Sequence, residues 1–193
     1  MSENTWKEYF ERTKDIKPRP LLVKAIDFVS DKNEVLDLGS GALNDVKFLV
    51  SKGFKHITAV DSKPLAQDII KNFPQEIVSY VISTFEDFYF VQNKYDLINA
   101  QYSLPFNHQD TFERVFNSIT SSLKKGGILT GQFFGEKDEW NVLGHKMNFH
   151  TLEQTEKLLS GLEIIDFNEE ETDRPTAKGD IKHWHVFHFI VKK

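Results

Sequence analysis

The chain has 193 residues, of which 39% are hydrophobic and 27% charged, values that are ordinary for a globular domain with one sizeable core. Its formal net charge of −5 disfavours a nucleic-acid partner, because phosphate binding requires a basic surface. The absence of cysteine excludes disulfides, thiolate metal sites and a thiol nucleophile. No apolar run approaches the ~20 residues that cross a bilayer, so we expect a cytoplasmic protein without a membrane partner.

The N-terminal segment predicts two helices. Aromatic side chains recur at helical spacing from Ser2 to Lys14, and "KPRP" ends that helix before a second one over Leu21–Val29. Trp6, Tyr9 and Phe10 are compatible with the inner face of a lid, although simple packing of a terminal helix is the commoner explanation. We therefore interpret residues 1–30 as an N-terminal helical cap on a single domain that spans residues 1–193.

From residue 34 onward, predicted strands alternate with helices. The strands are "EVLDLG", "HITAVD", "IVSYVIS", "YDLINA" and "GILTGQFFG", and the helices are Leu43–Lys52, Pro64–Asn72 and Thr111–Leu123. This alternation indicates β-α-β units and a parallel sheet that is covered on both faces. After a helix over Thr151–Ser160, "LEIIDFNEE" and "HWHVFHFIVKK" are joined by a hairpin-like turn, so the last strand should run antiparallel to its neighbour.

A glycine loop follows the first predicted strand in "VLDLGSGALND", at the end of the sheet where ligands bind in such folds. Gly39 and Gly41 permit positive φ and let a ligand approach the backbone closely. Asn44 or Asp45 is suited to cap the helix that comes next. The loop lacks the third glycine of a dinucleotide fingerprint.

Two carboxylates at strand ends suggest which ligand this loop binds. Asp37 lies just ahead of the glycines, where its charge would oppose a pyrophosphate but attract a ligand that carries ammonium and sulfonium groups. Asp61 ends the second strand, where an acid typically accepts both ribose hydroxyls. A ribose with a cationic tail points to S-adenosylmethionine.

Taken in order, these segments resemble the motifs of the class I S-adenosylmethionine-dependent methyltransferases. "VLDLGSG" and "AVD" resemble motifs I and II, "ISTFEDF" stands where the adenine loop belongs, and "YDLINAQYSLPF" and "SLKKGGILTGQFFG" resemble motif IV and the helix and strand after it. The resemblance covers roughly residues 31–193, and within the family it is to small-molecule enzymes of the tellurite-resistance type. It implies a single-domain, Rossmann-like α/β fold with a mostly parallel seven-stranded sheet whose last strand is antiparallel.

The resemblance also implies a site for the cofactor S-adenosyl-L-methionine. Its expected residues are Asp37, Gly39, Ser40, Gly41, Asp61, Ser62, Thr84, Phe85, Glu86 and Gln101. Thr84 replaces the family's acid after the third strand, so Thr84, Glu86 or Asp87 is expected to receive the adenine amino group. Phe85 and Phe88 suit either the core or a wall of the adenine pocket.

The methyl acceptor is expected to be a small molecule, and the residues expected to bind it are aromatic. Tyr102, Phe106 and Trp140 are the predicted substrate-binding residues, and His145 and His150 belong to the same region after the fifth strand. Motif IV is not the Asn-Pro-Pro-Tyr of enzymes that methylate the amino groups of bases, which argues further against a nucleic-acid substrate.

Candidate catalytic groups are His183, His185 and Tyr102. An antiparallel last strand begins at the active-site edge of the sheet, where His183 or His185 would act as general base or contact the substrate. Side-chain alternation puts His188 on the other face, so three histidines do not converge and no metal site is expected.

The predicted function is in-line methyl transfer from S-adenosylmethionine to a small-molecule acceptor, by a monomer or a homodimer. Two alternatives stay open. One is a nicotinamide-dependent oxidoreductase on a related fold, against which Asp37 and the antiparallel last strand weigh. The other is a non-catalytic protein that binds S-adenosylmethionine as a sensor or scaffold, because motif I serves binding rather than chemistry.

Overall fold

Six α-helices and eight strands follow one another along residues 3–193, the part of the chain that a computed structural model describes. The helices are α1 Glu3–Thr13, α2 Pro20–Ala25, α3 Asn44–Ser51, α4 Phe112–Ser122, α5 Glu139–Val142 and α6 Leu152–Leu159. The strands are β1 Glu34–Leu38, β2 His56–Asp61, β3 Val78–Ile82, β4 Tyr95–Ala100, β5 Leu123–Gly135, β6 Phe149–His150, β7 Glu163–Pro175 and β8 Ile181–Lys192.

The strands form one sheet in the order β3-β2-β1-β4-β5-β8-β7, and the two-residue β6 pairs with the end of β5. The first five strands pair in parallel, whereas β8 is antiparallel to both β5 and β7. The predicted class I methyltransferase fold with its antiparallel last strand is thus confirmed, with β6 as an additional short strand. Because the strand order reverses between β1 and β4, a crevice opens at the carboxyl ends of these strands.

The central strands of the sheet are buried on both faces, and most of their residues are apolar. All six residues of β4 and four of the five in β1 are buried, as expected for parallel strands that are covered on both faces. One apolar cluster packs α4 and Phe133 against one face of the sheet, and another packs α2 and α3 against the other. This rigid core fixes the strand ends that form the crevice.

The predicted helix over Pro64–Asn72 is wrong. The segment forms two 3-10 turns, Pro64–Ala66 and Ile70–Asn72, and only Ala66 of it is fully buried. Leu65, Ile69 and Ile70 still pack against the apolar cluster that contains α2 and α3, so the segment keeps its core contacts without forming an α-helix.

The two ends of the chain also differ from expectation in extent. The first predicted helix corresponds to α1, and Ser2 lies outside the described residues. The second is shorter than predicted, since α2 ends at Ala25 and a 3-10 turn follows over Ile26–Phe28. Strands β7 and β8 are longer than predicted and extend past the rest of the sheet as a hairpin. Within the described part of the chain, every helix is too short or too polar to span a membrane.

Candidate functional site

A cavity of about 520 Å³ opens where β1, β2, β3 and β4 end, at the crevice that the topology creates. Its size is that of a small-molecule site, for which about 300–1,000 Å³ is usual. The predicted site residues that line it are Gly39, Gly41, Asp61, Ser62, Thr84, Phe85, Glu86, Gln101, Tyr102, Phe106 and Trp140. Asp37 and Ser40 line a smaller neighbouring cavity of about 60 Å³, whereas His183 and His185 line neither.

The glycine loop has the backbone that its sequence suggests. Gly39 and Gly41 have φ of +76° and +48°, and a Cβ on Gly39 would lie 2.4 Å from Ser103 Cβ. Leu43, where the family has a third glycine, also has a positive φ of 62°. That conformation costs about 1–2 kcal/mol for a side-chain-bearing residue, but burying the leucine, which is 1% exposed, offsets it by about 1.5–3 kcal/mol.

Asn44 and Asp45 do not cap α3, contrary to the prediction. The helix begins at Asn44 and its cap residue is Leu43, which makes no side-chain capping bond. Instead, the Asn44 amide donates to the Thr13 carbonyl at 2.8 Å, and Asp45 Oδ1 accepts from the Arg19 backbone N–H at 2.9 Å. Both side chains therefore hold the N-terminal segment against the glycine loop.

Asp37 is buried beneath this loop, with 2% of its surface exposed. Its Oδ1 accepts from Asn99 Nδ2 at 2.6 Å, while its Oδ2 has no hydrogen-bond partner among the described residues. Burial, with the nearby charge of Asp45, raises the pKa of Asp37 to about 8. A carboxyl in this state lacks the cation that would hold it ionised.

Asp61 orders the loop through its two carboxylate oxygens. Oδ2 accepts from the Gly41 N–H and Oδ1 from the Lys63 N–H, each at 2.9 Å. Burial raises the pKa of Asp61, although these backbone hydrogen bonds oppose the shift. The side chain lies at the end of β2 and lines the large cavity, where the sequence predicted a ribose contact.

A chain of amides connects the Asp37 end of the site to Tyr102. The register of β1 and β4 pairs Asn99 with Asp37. Asn99 Oδ1 accepts from Gln101 Nε2 at 2.9 Å, and Gln101 Oε1 accepts from Gln132 Nε2 at 2.8 Å. Gln132 Oε1 in turn accepts from the Tyr102 N–H at 2.8 Å. Sequence reasoning identified Gln101 and missed Asn99 and Gln132, because their pairing depends on the strand register.

The third strand ends in the loop expected to bind adenine. Thr84, Phe85 and Glu86 line the cavity there, together with Leu65, which the sequence did not single out. Asp87 lies outside the lining and accepts from Thr84 Oγ1 at 2.9 Å.

Phe88 is also absent from the lining. It packs against the core, with its ring centre 4.9 Å from that of Phe90. Of the two phenylalanines weighed for the adenine wall, only Phe85 is therefore at the cavity.

The opposite end of the cavity is walled by aromatic rings. Tyr102, Phe106 and Trp140 lie there as predicted, joined by Trp6, which the sequence offered as part of a lid, and by Phe134 and Trp184, which the sequence did not suggest. Ring centres are 5.2 Å apart for Trp6 and Phe106, 5.4 Å for Trp140 and Trp184, and 6.3 Å for Tyr102 and Trp184. Tyr102 has a positive φ of 54°, a conformation typical of functional loops.

A buried ion pair supports this aromatic wall. The Lys182 ammonium and the Asp138 carboxylate form a direct ion pair, and their side chains are 2% and 0% exposed. The Lys182 ammonium lies 3.7 Å from the ring centre of Trp184 and 4.4 Å from that of Trp140. The ammonium thus makes cation–π contacts with both rings, and Asp138 compensates its buried charge.

His183 and His185 require a correction, because they lie on the face of β8 opposite Trp184, and Trp184 is the residue that faces the cavity. His185 is 2% exposed; its Nδ1 accepts from the Lys137 N–H at 3.1 Å and its Nε2 is 2.8 Å from Glu169 Oε1. His183 Nδ1 is 2.7 Å from Asp173 Oδ1. The prediction assigned the correct edge of the sheet but the wrong face, so neither histidine is positioned to be the general base.

The histidines after β5 are also outside the cavity lining. His150 packs between Phe112 and Phe133, with ring centres at 4.9 and 5.3 Å, and burial lowers the pKa of His150 to about 4. His145 contacts Trp140 from outside, with ring centres 6.1 Å apart.

One group among the described residues has the spacing of metal ligands, namely Glu169, Glu171 and His185, whose ligand atoms lie within 4.8 Å of one another. These atoms already have partners, because Glu169 pairs with His185 and Glu171 pairs with Lys137 at 2.7 Å. The group therefore gives no reason to assign a metal.

The N-terminal segment and the β7–β8 hairpin form a further wall of the cavity. Trp6, Tyr9 and Phe10 of α1 line it, as do Pro175 and Ala177 at the hairpin. The two parts are joined by an ion pair of 2.7 Å between Glu8 and Lys178, and by a hydrogen bond from Arg12 to the Lys178 carbonyl.

Arg19 is a cavity residue that sequence reasoning missed. It lines both the large and the small cavity, donates to Tyr9 Oη at 3.1 Å, and has its guanidinium 5.2 Å from the ring centre of Tyr102. No acidic side chain among the described residues pairs with its guanidinium within 4.0 Å. Its only sequence signal was the "KPRP" segment, which indicated a helix break.

Comparison with known proteins gives a match to a family profile over part of the chain and a shared fold over nearly all of it. A family profile described as a methyltransferase domain matches residues 35–127. No curated protein sequence matches the chain. Among solved structures, TehB from Haemophilus influenzae superimposes with a TM-score of 0.77 at 15% identity, over 97% of this chain and 67% of that one.

Two further similar structures were solved with ligands. The 1,6-didemethyltoxoflavin-N1-methyltransferase of Burkholderia thailandensis, with 1,6-didemethyltoxoflavin and S-adenosylhomocysteine bound, has a TM-score of 0.68 at 19% identity. The match covers 91% of this chain and 77% of the Burkholderia chain. N-methyltransferase NodS of Bradyrhizobium japonicum, in complex with S-adenosylhomocysteine, has a TM-score of 0.70 at 14% identity. The match covers 98% of this chain and 97% of the NodS chain. At these identities the likeness shows a shared fold.

Proposed function

We propose that this chain, whose residues 35–127 match a methyltransferase-domain profile and whose sheet has the class I methyltransferase topology, transfers a methyl group from S-adenosylmethionine to a small-molecule acceptor. The family match and the fold support the resemblance that the motifs suggested, and they give no support to the nicotinamide alternative. The observation that carries the proposal is the cavity at the ends of β1, β2 and β4, with Asp37, the glycine loop and Asp61 at one end and aromatic rings at the other.

The methionine part of the cofactor fits the unpaired groups under the loop. Its ammonium group would neutralise Asp37, whose Oδ2 has no partner among the described residues, directly or through a water in the small cavity. Its carboxylate would bind Arg19, which lines the same small cavity. The ammonium and carboxylate of the methionine part would thus face one acidic and one basic side chain. A pyrophosphate carries only negative charge and would not match this pair.

The remaining cofactor contacts follow the order of the strands. Asp61 is the proposed acceptor for the ribose hydroxyls, with Ser62 beside it. Thr84 or Glu86 would receive the adenine amino group, and Leu65 and Phe85 would contact the ring. Gly39 and Gly41 leave room for the ligand next to the backbone.

When bound, the cofactor supplies an electrophilic methyl carbon, which forms a bond to the acceptor's nucleophilic atom while its bond to sulfur breaks and that electron pair stays on sulfur. The aromatic wall has to hold the acceptor in line with that carbon, and such orientation contributes roughly 7–11 kcal/mol in favourable cases. Tyr102, at the wall between the two ends of the cavity, is the proposed catalytic contact to the acceptor. We propose no histidine as general base.

We also propose that residues 1–30 act as a cap on a single domain and exclude water from the closed site. We further propose a cytoplasmic monomer or homodimer without a membrane partner, and the net charge of −5 argues against a nucleic-acid partner.

The test is cofactor binding by calorimetry together with turnover, measured as release of S-adenosylhomocysteine in the presence of candidate acceptors. Asp61→Ala should weaken S-adenosylhomocysteine binding by about 1.5–3 kcal/mol, the contribution of charge-assisted hydrogen bonds. Asp68→Ala, an exposed acid on the neighbouring turn, is the matched control and should bind like the wild type. Binding of NAD in place of S-adenosylhomocysteine would refute the proposal, and binding without turnover on any acceptor would favour the non-catalytic alternative.

A further inference from the structure

The two ends of the large cavity differ in charge. Of the described residues that line it, only Asp61 and Glu86 are acidic, and both follow strands at the proposed cofactor end. The aromatic end is lined by Arg174 from the β7–β8 hairpin, with no carboxylate among its lining residues, and the other basic residues of the lining are Arg12, Arg19 and Lys63. An acceptor bound there lies next to a cationic side chain.

Arg174 is held in place by several contacts but keeps unused donors. Its Nη2 donates to Tyr102 Oη at 3.0 Å, and its guanidinium lies 4.7 Å from the ring centre of Trp184. Its backbone carbonyl accepts from Trp184 Nε1 at 3.0 Å. The Nε atom is 3.0 Å from Glu170 Oε1 but makes no hydrogen bond of good geometry, and Glu170 is also shared with His188. A guanidinium has five N–H donors, so most of them remain available to a ligand.

The charge of the cofactor adds to this asymmetry. S-adenosylmethionine carries a sulfonium, an ammonium and a carboxylate, and so has one net positive charge before the transfer. A cationic acceptor would approach both this charge and Arg174, whereas an anionic acceptor would be attracted by both in a partly desolvated cavity. Planar carboxylates also match the planar fork of arginine, with two parallel hydrogen bonds.

The shape of the aromatic end favours a flat molecule. Phe106, Phe134, Trp140 and Trp184 present ring faces and edges at tilted or perpendicular angles, an arrangement that receives another ring by stacking or edge contact. Small inorganic ions would leave these apolar faces without a partner.

We propose that the methyl acceptor is a small aromatic carboxylate, whose ring lies among these aromatic side chains and whose carboxylate is bound by Arg174. This inference rests on the proposed methyltransferase function and narrows its substrate class. Arg174 is the specificity-determining residue in this assignment, and Tyr102 orients it through their hydrogen bond.

The experiment titrates the protein, saturated with S-adenosylhomocysteine, with three probes of one shape: 2-naphthoate, 2-naphthamide and 2-naphthylmethylammonium. We expect naphthoate to bind about tenfold more tightly than the neutral amide, and the ammonium compound to bind most weakly. Arg174→Gln should weaken naphthoate binding about tenfold and leave the amide within about threefold. Arg174→Lys, which keeps the charge but loses the planar fork, should fall in between.

Arg114→Gln on α4 is the matched control, since Arg114 is exposed and lies outside the cavity lining, and it should bind all three probes as the wild type does. Equal binding of naphthoate and naphthamide, an equal loss of both in Arg174→Gln, or no binding of naphthoate would overturn the acceptor assignment. In those cases S-adenosylhomocysteine would still bind, whereas failure of S-adenosylhomocysteine itself to bind would reject the proposed function.

Discussion

Asp37 is a buried acid whose charge the described part of the protein leaves unbalanced. Its neighbours Asp45 and Asp61 add negative charge, and Asn99 alone donates a side-chain hydrogen bond to it. Natural proteins tolerate such unfavourable groups at sites where a ligand compensates them. Removing the charge of this carboxyl should therefore raise the stability of the ligand-free protein and lower its affinity for the cofactor.

Asp37→Asn should stabilise the ligand-free protein by about 1–2 kcal/mol near pH 8. Between the unfolded pKa of 3.8 and the folded pKa of about 8, the folded wild type holds a proton that the unfolded chain has released. The free energy of unfolding contributed by this group therefore falls as pH rises through that window, and the variant lacks this decline. Denaturant unfolding at several pH values measures the difference.

The same variant should bind S-adenosylhomocysteine more weakly and without proton release. In the wild type, the cationic ammonium favours ionised Asp37, so binding at about pH 7 should release part of a proton. Calorimetry in two buffers with different ionisation enthalpies detects this release. Equal proton release by both proteins would rule out Asp37 as the group that faces the ligand charge.

At the level of elements, strands β4 and β5 determine the geometry of the site as well as the core. Their parallel register places the amides of Asn99, Gln101 and Gln132 in one hydrogen-bonded chain that ends at the Tyr102 backbone. Each amide in it satisfies its neighbour in the buried region, so a substitution at one position leaves two partners unpaired.

Gln132→Met should destabilise the protein by about 2–4 kcal/mol, because the Tyr102 N–H and Gln101 Oε1 both lose a buried partner and an unmade bond costs about 1–3 kcal/mol. Gln75→Met removes hydrogen bonds from an exposed glutamine and is the control, for which we expect a change below about 0.5 kcal/mol. Thermal and denaturant unfolding give both values. A loss at Gln132 no larger than at Gln75 would mean that the network is not a stabilising unit.

The β7–β8 hairpin contributes residues to the cavity as well as strands to the sheet. Its outer part carries Arg174 to the aromatic end of the cavity and Lys178 to α1. Solvent screens an exposed ion pair such as Glu8–Lys178, so this pair adds little to the closure over the cavity. Ligand contacts with both elements would strengthen it.

On the scale of the whole molecule, the cavity lies between the rigid sheet and two peripheral elements, α1 and the hairpin. A ligand in it contacts parts of the chain that are far apart in sequence, from Trp6 to Trp184. Such a ligand binds only the folded state, and it therefore raises global stability by mass action.

S-adenosylhomocysteine at about 100 times its Kd should raise the melting temperature by about 5–10 °C, since that excess contributes about 2.7 kcal/mol and each kcal/mol shifts Tm by about 2–4 °C at this chain length. NAD at the same concentration should leave Tm unchanged. Differential scanning calorimetry compares the two, with Asp61→Ala as a variant that should lose most of the shift. A shift with NAD alone would contradict the assignment.

The sequence alone determined the strands β1 to β5, the glycine loop and the acids at the ends of β1 and β2. These features depend on local periodicity, on glycine's freedom of φ and on the chemistry of single side chains, all of which can be read without knowing which elements meet. The fold class followed because alternating strands and helices leave few ways to pair.

Only the tertiary structure decided which face of β8 meets the cavity. Alternation separated His183 and His185 from His188, but nothing local says which face of the strand meets the ligand. The same holds for Arg19, Arg174 and the Asn99–Gln101–Gln132 chain, whose partners are fixed by strand register and by the packing of distant segments. The tertiary structure also decided that Pro64–Asn72 forms two 3-10 turns rather than the helix that its sequence pattern predicted.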